Sequence, residues 1–352
     1  AVDPARGIFI LAILGAVIGG SLTLYAVRGP SLGEGARYDA VSREGALLFN
    51  NVVLVAACAT VLIGTFYPLF VDVFSGAKIS VGAPYFNTTF LPFMALVLAV
   101  IAPASALAWK RGRPRESLAP LWPAALAGLA AMAMALWLAE PGAVAAAFGA
   151  GLAVFAGVGV IADFMKRIRA TEPGASARAR ALPRGYAAMT AAHVGLAIAA
   201  IGVIGAGAWK SETVVYADVG DAVFLEGFAA TLADVAEMRG PNYVAEVASF
   251  HIRKNNRVIG AVRAERRFYP VRGMQTTEAG IRTTPGGDLY FTIGERQEGR
   301  GWVVRAWRHP LVAWMWAGAA MMALGGVIGA GAAGARRAAR EVIPAAAPAA
   351  AE

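Results

Sequence analysis

Three histidines and one cysteine are the scarcest side chains of this 352-residue chain that could bind a metal or carry an electron or thiol step. His193 is the most informative. It stands in YAAMTAAHVGLAIAAIGVIGAG, about two turns inside an apolar run, where an ionisable group is costly and marks a functional position. A neutral imidazole there can serve as an axial haem ligand or be held by a hydrogen bond between helices, and both readings stand. Ala188, Ala191, Ala192, Gly195 and Ala197 surround it in sequence and would let a flat cofactor or another helix come close. No other histidine lies in an apolar run, so a bis-histidine haem site needs its second ligand from outside this chain.

His309, in VVRAWRHPLVAWMW, precedes Trp314 and Trp316 and reads first as part of an interfacial anchor, with a ligand role as the alternative. His251 sits beside Arg253 and Lys254 and is expected to face solvent. Cys58 lies inside NVVLVAACATVLIGTF and reads as a small core residue; a lone cysteine builds neither a disulfide framework nor a thiol relay. Arg266, Arg267, Arg272 and Arg282 cluster in sequence, and such a group could meet propionates, acidic lipid or an acidic partner. The bland alternative is a solvated loop face. Zinc spacing, a P-loop, a serine elbow and paired carboxylates are all missing, which leaves hydrolase and nucleotide-driven pump readings without support.

These residues need elements to position them. The chain is 58% hydrophobic and 16% charged, against roughly 25% charged for soluble domains. A span needs about 20 apolar residues. Seven stretches qualify, near 7–27, 45–68, 88–109, 121–139, 143–165, 186–208 and 310–333. Glu140, Pro141 and Gly142 alone join the fourth and fifth, which predicts an antiparallel hairpin. The net charge of +9 is topological rather than a nucleic-acid signal. Lysines and arginines follow the first, third, fifth and seventh spans, which places those ends in the cytoplasm and the 209–309 segment outside.

Between spans six and seven, TVVYADV, AVFLEGF, NYVAEVASFHI, RVIGAVRAERRFY, DLYFTIGE and WVVRAWR are short, β-branched and partly alternating. They predict six or seven strands in an OB-like barrel or a sandwich. Lys254-Asn255-Asn256-Arg257 reads as a hairpin turn, because Asn tolerates left-handed backbone. The expected architecture is thus a membrane α-helical bundle with an inserted extracytoplasmic all-β domain. Its parts are a six-helix region at 1–208, the β domain at 209–309, a last helix at 310–334 and a disordered tail at 335–352. The opening AVDPARGIFILAILG does not read as a signal peptide and looks like the continuation of a longer polypeptide.

The strings DPARGIFILAILGAVIGGSL, KISVGAPYFNTTF, AAHVGLAIAAIG, ERRFYPVRGMQTTEAGIRTTPGGDLY and HPLVAWMWAGAAMMALGG, in this order, resemble the C-terminal half of the CcmF family of cytochrome c-type biogenesis proteins. The resemblance implies a haem lyase component in the bacterial inner membrane. Such a protein takes haem from a periplasmic haem chaperone and attaches it to the CxxCH thiols of apocytochrome c, with a thiol-handling subunit. It also implies a transmembrane haem b that reduces the incoming haem, membrane quinol being the electron source, with His193 as one axial ligand. The family's tryptophan-rich segment, its two periplasmic histidines and its first transmembrane ligand have no counterpart here, so the N-terminal half of the same protein is an expected partner. Complete lyase activity is not expected of this chain alone. A non-catalytic scaffold that docks chaperone and apocytochrome is the alternative. A haem transporter is the third reading, against which stand the lack of an inverted repeat and Asp163 as nearly the lone membrane-level carboxylate.

Overall fold

The computed structural model describes residues 4–32, 37–110, 113–138, 143–169 and 182–342. Seven of its helices are long and apolar enough to cross a membrane. The Glu140-Pro141-Gly142 turn and the tail from 343 lie outside the described residues. Two compact units divide the chain at Ala125.

In the first unit, α1 (Pro4–Arg28), α2 (Arg43–Ser75) and α3 (Ala83–Ala106) are spans, followed by the short α4 (Pro114–Leu118). Ser42 caps α2, its side chain accepting from the Gly45 backbone N–H at 3.0 Å. That end is tied down by Glu44, whose carboxylate accepts from the Lys110 backbone N–H at 2.8 Å. Gly64 lets α3 approach α2, since a Cβ there would lie 2.3 Å from the Tyr85 ring. The Tyr85 hydroxyl then donates to the Thr60 carbonyl at 3.0 Å. The spans expected near 45–68 and 88–109 leave 69–87 between them, yet α2 runs on to Ser75 and α3 begins at Ala83, with Pro84 in its first turn. Cys58 is exposed on α2 rather than a core residue.

In the second unit, α5 (Trp122–Leu138) and α6 (Val144–Arg169) are close neighbours at Gly128 and Gly151, where a Cβ on either would lie 2.7 to 2.9 Å from the other's carbonyl oxygen. Next come α7 (Arg184–Ala208), nine strands, and α8 (Val312–Val342). The last helix therefore runs past the boundary expected at 334, through residues expected to be disordered.

The nine strands are β1 (Ser211–Ala217), β2 (Ala222–Leu225), β3 (Phe228–Arg239), β4 (Val244–Lys254), β5 (Arg257–Tyr269), β6 (Met274–Glu278), β7 (Gly280–Thr284), β8 (Gly287–Gln297) and β9 (Gly301–Pro310). They form two sheets, ordered β1-β9-β8-β7 and β2-β3-β4-β5-β6. Of the two β architectures read from the sequence, this is the sandwich; an OB-like barrel would close one sheet on itself. Alternating side chains fill the space between the sheets, with Leu232, Phe250, Ile252, Leu289, Phe291, Ile293 and Val304 all buried. Phe250 and Phe291, one from each sheet, stack with centroids 5.3 Å apart. The expected hairpin joins β4 to β5, with Asn255 and Asn256 both left-handed at φ 48° and 63°.

Candidate functional site

His193 lies nine residues into α7, about 13 Å along the axis and near the middle of the span. Two helices take opposite faces of α7. Ala188, Ala192, Gly195, Ala199 and Gly202 face α8 and Gly205 faces Leu311 just before it; the Cβ positions of Gly195 and Gly202 fall within 3 Å of α8 backbone. The other face meets α6: Gly157 opposes Ala197, Gly149 opposes Ile204, and Phe164 stacks on Tyr186 with centroids 6.1 Å apart.

Residues 186, 193, 197 and 204 fall within a narrow arc of a 3.6-residue helix, so His193 is on the α6 side. The pairings of 149 with 204 and 157 with 197 set it level with Val160, which is buried. The imidazole is half-buried and its Nδ1 is shielded from solvent. Of the two uses read for these small residues, most of them serve the approach of another helix. Ala188, Ala192 and Gly195 make room for α8, and Ala197 alone of that set is shown lining the histidine's face.

Asp163, Arg167 and Tyr186 form a polar knot between α6 and α7. The Tyr186 hydroxyl donates to the Asp163 carboxylate, Arg167 Nε donates to the same oxygen at 3.1 Å, and the guanidinium lies 4.7 Å from the Tyr186 ring centre. The cost of a carboxylate near a span is thereby offset. An aspartate four residues before an arginine on one helix is a signal the sequence did carry.

His309 stands where the sandwich meets α7. Its Nδ1 lies 3.3 Å from the Ala206 carbonyl, and its ring meets Tyr290 edge-on at 6.4 Å. His251 is exposed, as expected.

The four arginines do not form one cluster. Arg266 pairs with Glu246 at 2.8 Å and Glu295 at 3.2 Å. Arg267 bonds Glu265 at 2.8 Å and lies 4.5 Å from the Tyr243 ring centre; the Glu265 bond leads in raising its pKa, so it stays protonated. Arg272 occupies the β5–β6 turn. Arg282 is elsewhere, donating to the Ile259 carbonyl at 2.8 Å, about seven residues down β5 and roughly 20 Å from Arg266 at strand rise.

As for a cofactor, His193 supplies one imidazole, half-buried at mid-span, of the type that would hold a haem iron. Among the described residues no group of three or more His, Cys, Asp or Glu side chains comes together to hold a metal ion.

The fold and this histidine define a multi-pass membrane protein with a β sandwich inserted between its last two spans. Residues 208–310 match the family described as CcmF C-terminal beta-sandwich. The chain is 40% identical over 331 residues to cytochrome c-type biogenesis protein CycK of Rhizobium meliloti, covering 93% of this chain and 49% of that protein. It is 40% identical over 330 residues to cytochrome c-type biogenesis protein CcmF of Pseudomonas aeruginosa, covering 93% and 50%. The Escherichia coli K12 protein named CcmF is 37% identical over 328 residues, at 93% and 49%. A solved structure named Cytochrome c Heme Lyase CcmF shares the fold at TM-score 0.63 and 22% identity, over 82% of this chain and 46% of that one. The chain is a homologue of the CcmF-type cytochrome c-type biogenesis proteins, and it spans about half the length of the curated relatives it matches.

Proposed function

We propose that this chain is part of a cytochrome c haem lyase of the bacterial inner membrane, in which it contributes one axial ligand, His193, to a transmembrane b haem. The observation that carries the reading is the place of His193: mid-span, half-buried, on the face of α7 turned toward α6 and away from α8. When bound, a b haem supplies one-electron transfer between the membrane, with quinol as donor, and the haem to be attached. A second ligand would have to come from outside this chain, and the N-terminal half of the same protein would supply it.

The work of the chain's own residues is positional. The Gly- and Ala-lined contact with α8 fixes the rotation of α7, and the Asp163–Tyr186–Arg167 knot fixes it against α6. Together they hold the His193 imidazole at one depth and one azimuth. The cationic ends at Arg28, Lys110, Arg115, Lys166 and Arg184 support a cytoplasmic location for those ends. The sandwich then lies in the periplasm, where it would dock the haem chaperone, apocytochrome c and its thiol-handling subunit.

The test is a His193→Ala variant of the complete protein, purified and examined by visible absorption and pyridine hemochrome. Loss or marked weakening of the co-purifying haem is expected. An unchanged spectrum and unchanged yield would sink the assignment.

A further inference from the structure

The inward-facing stripes of several strands end in a cation at the same end of the sandwich. On β4 the series Phe250, Ile252 continues to Lys254, and on β9 the series Val304, Ala306 continues to Arg308. On β7, Arg282 stands opposite Leu289 of β8, which in turn stands opposite Arg308. Strand alternation therefore aims all three cations into the gap between the sheets. There they line an open cleft of about 430 Å³ whose apolar floor includes Phe228 and Leu289.

The three cations are differently engaged. Arg308 is paired with Glu226. Lys254 Nζ lies 5.1 Å from the Phe228 ring centre, and Arg282 spends one N–H on a backbone carbonyl. Among the described residues neither Lys254 nor Arg282 forms an ion pair, so both retain donors for an anion.

This end of the sandwich is the one joined to the helices. Ser211, the first residue of β1, pairs with Arg308, while β9 ends at Pro310 and α8 starts at Val312. Trp314 and Trp316, third and fifth residues of α8, are 47% and 67% exposed. Tryptophans so placed mark the headgroup level of a bilayer, within about 6 Å along the axis from the start of α8. A cationic cleft so close to that level is within reach of lipid phosphates.

We propose that the mouth of the sandwich, formed by Lys254, Arg282 and Arg308, binds the phosphate of an acidic phospholipid headgroup from the adjacent leaflet. The interaction is charge-assisted and bidentate at arginine, and it would set the height of the sandwich above the bilayer. It is independent of the haem reading and needs only the multi-pass character of the chain.

The experiment reconstitutes the full chain in phosphatidylcholine nanodiscs with and without phosphatidylglycerol, then counts retained lipids by native mass spectrometry after release into detergent. Preferential retention of phosphatidylglycerol is expected, weakened about fivefold for each of Lys254→Gln and Arg282→Gln. Arg239→Gln, at the opposite end of β3, should leave it unchanged. Glu226→Gln frees Arg308 and should raise retention, a gain that misfolding cannot imitate. Equal retention of the two lipids, a loss in Arg239→Gln matching that in Lys254→Gln, or a fall in Glu226→Gln would each overturn the proposal. So would displacement of phosphatidylglycerol by inorganic phosphate at comparable concentration, which would reassign the cleft to a soluble anion.

Discussion

Gly195 on α7 and Gly318 on α8 meet backbone to backbone: a Cβ at Gly318 would lie 2.4 Å from the Gly195 carbonyl oxygen, and one at Gly195 2.7 Å from that of Gly318. In a membrane, where apolar side chains gain little by leaving lipid, such close approach is what holds two helices together. Gly318→Val should therefore push the helices apart and cost about 2 kcal/mol, in the range of core overpacking. At Gly326, about two turns along the same helix, an added Cβ meets nothing within 4 Å. Gly326→Ala is expected to be neutral or slightly stabilising. Thermal unfolding of the two variants in the same detergent checks the contrast.

The Asp163 knot makes a second prediction. Tyr186→Phe removes the hydroxyl that donates to Asp163 but keeps the ring that stacks on Phe164. Asp163 retains Arg167, so the loss is one hydrogen bond to a charged group, about 2 kcal/mol. Asp163→Ala should cost more, because it strips both partners at once. Unfolding midpoints should fall in the order wild type, Tyr186→Phe, Asp163→Ala; an Asp163→Ala protein as stable as wild type would show that the knot holds nothing.

The spans were legible because membrane thickness imposes a length on apolar runs, and all seven fall where those runs lie. The hairpin at Asn255 and Asn256 was legible from turn chemistry. The strand β3 was not. Its FAATLADVAEMR is alanine-rich, alanine has little β preference, and the register slips between Leu232 and Asp234, which breaks the alternation a reader would follow. Strands β6 and β7 hid in a polar, glycine-rich stretch for a related reason, as short strands with mostly exposed side chains. The site shows the same limit. His193 was identifiable as a buried ionisable group, but its azimuth was not, because small residues surround α7 on every side and only the packing of α8 reveals which of them are taken. Nor could linear proximity of Arg266 and Arg282 show that strand direction carries them to different ends of the sandwich.

The β4–β5 turn gives a prediction on the sandwich alone. Asn256 adopts φ 63°, which β-branched residues avoid, so Asn256→Val should destabilise the domain by about 1 to 2 kcal/mol, whereas Asn256→Gly should not. The midpoint of the β signal in far-ultraviolet circular dichroism reads the difference. Equal midpoints for the two variants would mean the turn has been replaced by another conformation.

His309 provides the last test, of how the sandwich is seated on its own helix. The Nδ1 atom faces the Ala206 carbonyl at 3.3 Å, and for that contact to be a hydrogen bond Nδ1 must carry a proton. Tyr290 meets the same ring edge-on, and Gly287 lets β8 reach this point, since a Cβ there would lie 2.4 Å from the His309 carbonyl oxygen. The two contacts can be separated by substitution. His309→Asn keeps a donor near the Nδ1 position but loses the ring, while His309→Phe keeps the ring and loses the donor. If the hydrogen bond seats the domain, hydrogen exchange of the amides around 204–212 should rise in His309→Phe and stay near wild type in His309→Asn. If the ring contact does so, the order reverses. A rise of about tenfold corresponds to the loss of one ordinary hydrogen bond, near 1.4 kcal/mol, in the opening equilibrium.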